Sequence, residues 1–229
     1  MYQREYIEIN AQGNHSALSI TPPRKLFLRP VILIANSALA VIRTVPLPDG
    51  YKHNAKTQWE QVLAAFPIGR ALNEKTHLFD GSVYRNAEGC VVFCMIALPL
   101  DIADAITEHA AELQGGLRKV AALETMETVL FRHYCTNMAD APSVRWVIYP
   151  CEDGIKVLII RHNAPEAVRF LPLAPPHFES ALRRTLEESP PDQVLLPKRL
   201  FWGEAWVQTC GTLAQFFKSE TIEVSIIHL

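Results

Sequence analysis

Few side chains in this 229-residue chain stand where their types and spacing could do chemistry. Two Asp-Gly pairs, Asp80-Gly81 and Asp153-Gly154, could set a carboxylate beside a metal. Asp-Gly is foremost a turn dipeptide, and both pairs read as turns. Glu124 and Glu127 have the spacing that puts two carboxylates on one helix face, and an ordinary solvated face accounts for them. His133-Tyr-Cys135 is half of a metal-ligand pattern, but no second ligand pair accompanies it. His133 and Tyr134 therefore read as packing or surface residues. No Gly-x-Ser-x-Gly, His-Glu-x-x-His or Walker A run occurs, so hydrolase and P-loop chemistry have no support.

The segment Lys198-Arg-Leu-Phe-Trp-Gly-Glu-Ala-Trp206 concentrates aromatic and cationic side chains. Trp and Arg are enriched at binding hot spots, which makes Lys198, Arg199, Phe201, Trp202 and Trp206 candidates for a protein-interaction surface. The competing reading is that Trp202 and Trp206, one helical turn apart, pack a helix end. Arg183-Arg184 could extend a modest basic rim, with a solvated surface as the alternative.

Composition narrows the classes. Apolar residues make up 49% of the chain and charged residues 20%, which suits a folded α/β protein and argues against disorder. A formal charge of −2 gives no basic excess for nucleic acid. No apolar run is long enough to span a membrane, and acids in the first residues do not suit a signal peptide. These features predict a soluble, cytoplasmic protein. The five cysteines, Cys90, Cys94, Cys135, Cys151 and Cys210, include no Cys-x-x-Cys pair. Cys90 and Cys94 fall on one face of a strand about 13 Å apart, too far to bond or share a metal. Free buried thiols in a reducing compartment are expected.

The elements that would position these residues come in two runs. The front opens with strands at Glu5–Asn10 and Ser16–Ile20. Apolar runs Val31–Ala35 and Leu39–Val45 follow, then an amphipathic helix with Trp59, Val62, Leu63 and Phe66. A strand at Leu78–Tyr84 and a buried strand at Val91–Leu98 lead to a helix capped by Asp101 and ended by Gly115-Gly116. A short strand, Leu117–Ala121, and a helix presenting Leu123, Met126, Leu130 and Tyr134 complete this half. Ala141-Pro142 is the expected subdomain boundary. The back half reads as strands Val144–Tyr149, Ile155–Ile160 and Ala167–Pro172. A helix with Phe178, Leu182 and Leu186, a strand Gln193–Leu196, a helix Ala205–Phe217 and a strand Ile222–Ile227 follow.

Three strands followed by helix, strand, helix, strand, present in degenerate form in both halves, resemble the ribonuclease-H-like units of actin-like ATPases. Within that superfamily the stretch Val31-Ile-Leu-Ile-Ala-Asn-Ser-Ala-Leu-Ala-Val-Ile-Arg-Thr-Val-Pro-Leu-Pro48 is similar to PilM-like proteins and the cytoplasmic domain of GspL. So is the strand–helix–strand–helix passage around Gly116-Leu117. The resemblance implies an α/β fold of two ribonuclease-H-like subdomains, mixed sheets flanked by helices. Residues 1–141 would form the first subdomain, with an insertion, and 142–229 the second.

Departures from the pattern bear on function. The family's nucleotide binders need an acid and glycines in the turn after the first strand of each half. Here the front turn, Asn10-Ala-Gln-Gly-Asn-His15, has one glycine and no acid. The back turn, Tyr149-Pro-Cys-Glu-Asp-Gly154, puts Tyr149 where an aspartate is expected and Pro150 where an N–H is needed. Pro197-Lys-Arg-Leu-Phe-Trp202 stands in place of paired glycines. The expectation is a pseudo-ATPase without catalytic residues, metal or cofactor. It would be a non-enzymatic scaffold of a type IV pilus or type II secretion platform, peripheral to the inner membrane through its partners. By resemblance it binds the cytoplasmic tail of a bitopic partner in a groove between subdomains, sought among residues 31–48 and 59–66, and contacts an assembly ATPase. The chain end at Leu229 favours the PilM-like arrangement over the GspL one. The alternatives are a divergent phosphotransferase using Glu152 or Asp153 at a metal, and an interaction domain unrelated to pili.

Overall fold

The computed structural model describes residues 5–9, 15–18, 31–37, 39–47, 75–85, 90–113, 120–135, 142–151, 154–173, 177–198 and 202–228. The expected helix at 59–66, the front turn 11–14, the Gly115-Gly116 stop, Ala141, and Glu152, Asp153, Arg199 and Phe201 lie outside these residues.

The back half is built largely from local signals. Strands β8 (Val144–Cys151), β9 (Gly154–Arg161) and β10 (Ala164–Pro172) make an antiparallel meander. β11 (Gln193–Lys198) and β12 (Glu223–His228) extend it in parallel on the other side of β8. Helices α3 (His177–Glu188) and α4 (Gly203–Ser219) make the crossovers that parallel pairing requires. β8 and β9 read as almost unbroken apolar runs because both of their faces are covered. Trp146, Ile148, Val157 and Ile159 pack against Leu182, Trp206, Leu213 and Phe217 of the helices. Val147, Tyr149, Leu158 and Ile160 point the other way, toward Ile34, Ile42, Met126 and Leu130. Each large apolar side chain so buried contributes roughly 1.5–3 kcal/mol.

The β8–β9 hairpin opposes Cys151 to Gly154. A Cβ on Gly154 would come within 2.7 Å of the Phe170 ring, so this position excludes any larger residue. The β9–β10 hairpin turns on His162 and Asn163, both at positive φ (48° and 60°), as a two-residue turn of the hand that fits strand twist requires. Arg145 donates to Asn163 Oδ1 at 2.7 Å and fixes that turn from beneath.

The front repeats the plan in reduced form. β1 (Glu5–Ile9) pairs antiparallel with β2 (His15–Leu18) and parallel with β3 (Val31–Ala35). β3 pairs parallel with β7 (Val120–Thr125), giving the order β2-β1-β3-β7. Between β3 and β7 in sequence lie β4 (Val41–Pro46), β5 (His77–Arg85), β6 (Val91–Pro99) and α1 (Leu100–Leu113); α2 (Met126–Cys135) follows β7. β4, β6 and β5 do not stay in the front sheet. They join the back one, whose order is β12-β11-β8-β9-β10-β4-β6-β5.

Several expectations are corrected. Asp80-Gly81 is not a turn: it lies in mid-strand, opposite Ile96 and Met95. A Cβ on Gly81 would collide with the Phe93 ring and lie 2.9 Å from Cys94 O, so the glycine serves close packing. The strand expected at Leu117–Ala121 is placed at Val120–Thr125, and Leu123 belongs to it rather than to the following helix. Asp101 does not precede α1 but lies in its first turn, its Oδ1 accepting from Ile102 N at 2.9 Å. Of the thiols expected to be buried, Cys94 and Cys210 are, but Cys90 is exposed. No described helix is long and apolar enough to cross a membrane.

Candidate functional site

The two carboxylates expected to share a solvated helix face are parted by the real boundary of α2. Thr125 ends β7 and its hydroxyl faces Thr128, accepting from the Thr128 N–H at 3.4 Å. Glu124 is thereby a strand residue, while Glu127 falls in the first helical turn and is almost fully buried (1% exposed).

Glu127 Oε1 accepts from the Tyr149 hydroxyl at 2.6 Å and pairs with the Lys156 ammonium. Tyr149 and Lys156 are opposite one another on β8 and β9, which puts both side chains on the sheet face toward the front half. The ammonium also donates to Ser37 O at 2.6 Å and Ala40 O at 3.1 Å. Its three donors are satisfied, the condition under which a lysine can sit at 1% exposure. Asn36 Nδ2 donates to Pro150 O at 3.0 Å. These bonds tie the β3–β4 turn, the start of α2 and the root of the β8–β9 hairpin into one polar junction. Sequence reasoning missed it, although a signal was present. Lys156 interrupts Ile155-Lys-Val-Leu-Ile-Ile160, and a lysine inside a doubly covered strand needs a buried partner.

Beside the junction runs a groove of about 230 Å³. Leu78, Phe79 and Asp80 of β5 and Ile96 and Leu98 of β6 line one wall. Leu123, Glu124 and Thr125 of β7 and Thr128 of α2 line the other. β5 and β7 are the last strands of their sheets among the described residues, so the groove lies between two sheet margins. Leu78 is 46% exposed. Asp80 is exposed, its Oδ1 accepting from Gly81 N at 2.7 Å, and Glu124 pairs with Arg132. The floor is apolar, with carboxylates at the rim. A second cavity of about 170 Å³ opens between Thr44, Pro46 and Val92 on one side and Arg161, His162, Pro165 and Glu166 on the other.

Trp206 is buried in the α4 layer, its Nε1 donating to Pro197 O at 2.8 Å. Trp202 is half-buried and meets Trp206 edge to face at 5.9 Å. The backbone of Lys198 ends β11. Arg183 and Arg184 make no basic rim: Arg183 pairs with Glu179 and Glu220 and lies over the Phe216 ring, and Arg184 pairs with Glu188.

No family model matches the chain, and no curated protein does. Solved structures do match. One is described as a PilM-PilN type IV pilus biogenesis complex, with a TM-score of 0.63 at 16% identity over 99% of this chain and 88% of that one. A second is a Bacteroides thetaiotaomicron protein of unknown function described as having an actin-like ATPase fold, with a TM-score of 0.52 at 12% identity over 98% of this chain and 90% of that one. The cytoplasmic domain of EpsL of the Vibrio cholerae type II secretion system also matches over 84% of this chain, with a TM-score of 0.48. At these identities the likeness speaks to architecture. The chain has the actin-like ATPase fold, shared over almost its whole length with a pilus-assembly protein.

Proposed function

We propose that the protein is a non-enzymatic scaffold of a pilus or secretion platform that holds the tail of a single-pass inner-membrane partner in the groove between β5–β6 and β7–α2. The observation that carries this reading is the groove itself: an apolar floor about 230 Å³ in size, set between two sheet margins, with Asp80 and Glu124 at its rim. Tails on the cytoplasmic side of a membrane span are rich in Lys and Arg, which complements those carboxylates. An extended segment could add its backbone to either margin while its side chains fill the floor. Likeness to a protein solved in a PilM-PilN complex supports the same class of partner. The groove lies further along the chain than residues 31–48, where it was sought, and 59–66 lie outside the described residues.

The scaffold works without nucleotide in this reading. Support comes from the back turn, where Tyr149 is engaged by Glu127 and Pro150 offers no N–H. Trp202, with Lys198, Arg199 and Phe201 beside it in sequence, is a second contact for the assembly ATPase. Trp206 supports that contact from the core.

The test is calorimetric titration with a synthetic tail carrying apolar residues and one arginine. Binding should weaken about tenfold in Asp80→Lys, since reversing a rim charge changes a complementary pair into a repulsive one. Binding unaffected by Asp80→Lys, or no binding by any pilus or secretion tail, would overturn the assignment.

A further inference from the structure

β12 is the last strand of the back sheet, paired with β11 on one side and, among the described residues, with nothing on the other. Natural sheets blunt such a margin with proline, lysine or a bulge, because its open N–H and C=O groups template further pairing. β12 has none of these. Glu223-Val-Ser-Ile-Ile-His228 keeps unbroken register with β11 from Gln193↔Glu223 to Lys198↔His228. Val224 packs against the cluster beneath α4, and Ile226 shares that face yet is 50% exposed.

α4 lies over β11 and β12, while α3 lies over β10. Arg183 of α3 sits over the Phe216 ring and so marks the side of α4 turned toward α3. The opposite side overhangs the β12 margin. It carries Glu204, Val207, Gly211 and Lys218 at helical spacing, all exposed. Val207 is 40% exposed, and a Cβ on Gly211 would meet nothing within 4 Å. Glu204 and Lys218 stand equally far on either side of Gly211, and neither has an ion-pair partner within the chain, among the described residues.

Strand and helix share a midpoint. Ile222 N donates to Phe217 O at 3.0 Å at one end of the crossover, and Trp206 Nε1 reaches Pro197 O, opposite Ile227, at the other. Gly211 lies midway between Trp206 and Phe217, so it stands level with Val224 and Ser225, midway between Ile222 and Ile227. A two-fold axis normal to the sheet at this level sets Ser225 opposite its copy and Val224 opposite the copy's Ile226. The same axis lays α4 antiparallel to its copy, crossing at Gly211, with Glu204 facing the copy's Lys218 at both ends. Paired strands about 4.8 Å apart, each with its helix astride β11 and β12, put the helix axes about 10 Å apart, the distance of packed helices.

We propose that β12 and the overhanging side of α4 form the interface of a symmetric homodimer, a self-complementary patch that joins two back sheets edge to edge. The groove lies at β5, the far end of the sheet, and stays open in the pair, so the dimer does not rest on the tail reading.

Sedimentation equilibrium on the full chain should show a concentration-dependent monomer–dimer transition. Gly211→Trp changes a position with open space around it, so the monomer keeps its fold while the dimer is lost. Lys218→Glu puts like charges together at both ends and should weaken the dimer about tenfold. Adding Glu204→Lys to it should restore the wild-type dissociation constant, a recovery that no other interface would give. Amide exchange across Ser225, Ile226 and Ile227 should slow in step with dimer formation. A chain that is monomeric at every concentration, or a dimer unmoved by these variants, overturns the proposal. Protection of β12 by a tail peptide bound to a monomer would also overturn it and give the edge to that partner.

Discussion

The back sheet and the front sheet follow one plan with opposite economies. In the back, an antiparallel meander is continued by two parallel strands, and the face under α3 and α4 is filled with Trp146, Trp206 and Phe217. In the front, the antiparallel pair β1–β2 is continued by β3 and β7, with no third meander strand among the described residues, and β4, β6 and β5 join the back sheet. The two cores differ in kind as well. The back core is an apolar fit around Trp146 and Phe217, edge to face at 5.9 Å, whereas the contact between halves sets a buried ion pair into its apolar packing. An apolar core tolerates small shifts of its parts; a buried ion pair with directed hydrogen bonds does not. The back half therefore supplies stability, and the junction supplies position.

The largest effects should come from breaking each core in its own way. Lys156→Met leaves Glu127 buried without its cation and should cost about 3–5 kcal/mol in denaturant unfolding. Adding Glu127→Gln to that variant should recover much of the loss, a coupling that a double-mutant cycle measures. Trp206→Ala should cost about 3–5 kcal/mol, with no recovery from any single charge change. Equal losses in both Lys156 variants would show that the junction is packing rather than an ion pair.

Glycine positions sharpen the contrast at smaller scale. Gly81→Ala forces Phe93 and the Cys94 carbonyl aside and should cost about 1–3 kcal/mol. Gly211, in α4, has open space where a Cβ would go, so Gly211→Ala should stabilise by roughly 0.5–1 kcal/mol. Opposite signs in the unfolding midpoints would confirm that the β5–β6 wall is closely packed within itself.

The smallest expected effect is a pH dependence at the start of β8. The Val144 N–H, and then the Ser143 hydroxyl, hold the Asp192 carboxyl below its usual value. A folded-state value below the unfolded one gives stability that is present above the unfolded value of about 3.9 and lost as pH falls through the folded value. Because Asp192 is exposed, solvent screening limits this to a few tenths of a kcal/mol. Asp192→Asn should flatten the stability profile below about pH 4 and lower stability by a few tenths of a kcal/mol at pH 7.

How much was legible follows from which forces are local. β8 and β9 announced themselves through Asp153-Gly154 and unbroken apolar runs, and α4 through Trp206, Cys210, Leu213 and Phe217 at helical spacing. Asp80-Gly81 misled because its turn propensity was overridden by pairing with β6 and by the Phe93 ring, neither of which is near it in sequence. Glu127 was misread because the end of β7 at Thr125, not the carboxylate spacing, decides which face it occupies. The groove was not legible at all: its walls come from β5, β6, β7 and α2, brought together only when β4 crosses to the back sheet. The residue types Tyr149 and Pro150 of the back turn were legible; the bond from Tyr149 to Glu127 was not.

The account turns on the claim that the place between the halves is filled by the chain's own side chains. A thermal unfolding scan with and without millimolar Mg-ATP tests it most directly. A ligand at about 100-fold over its dissociation constant adds roughly 2.7 kcal/mol, which is several degrees for a protein of this size. The account predicts an unchanged midpoint with nucleotide and a raised one with a groove-binding tail. A Mg-dependent rise with ATP, lost when Glu152 or Asp153 is replaced, would contradict it and favour the phosphotransferase reading.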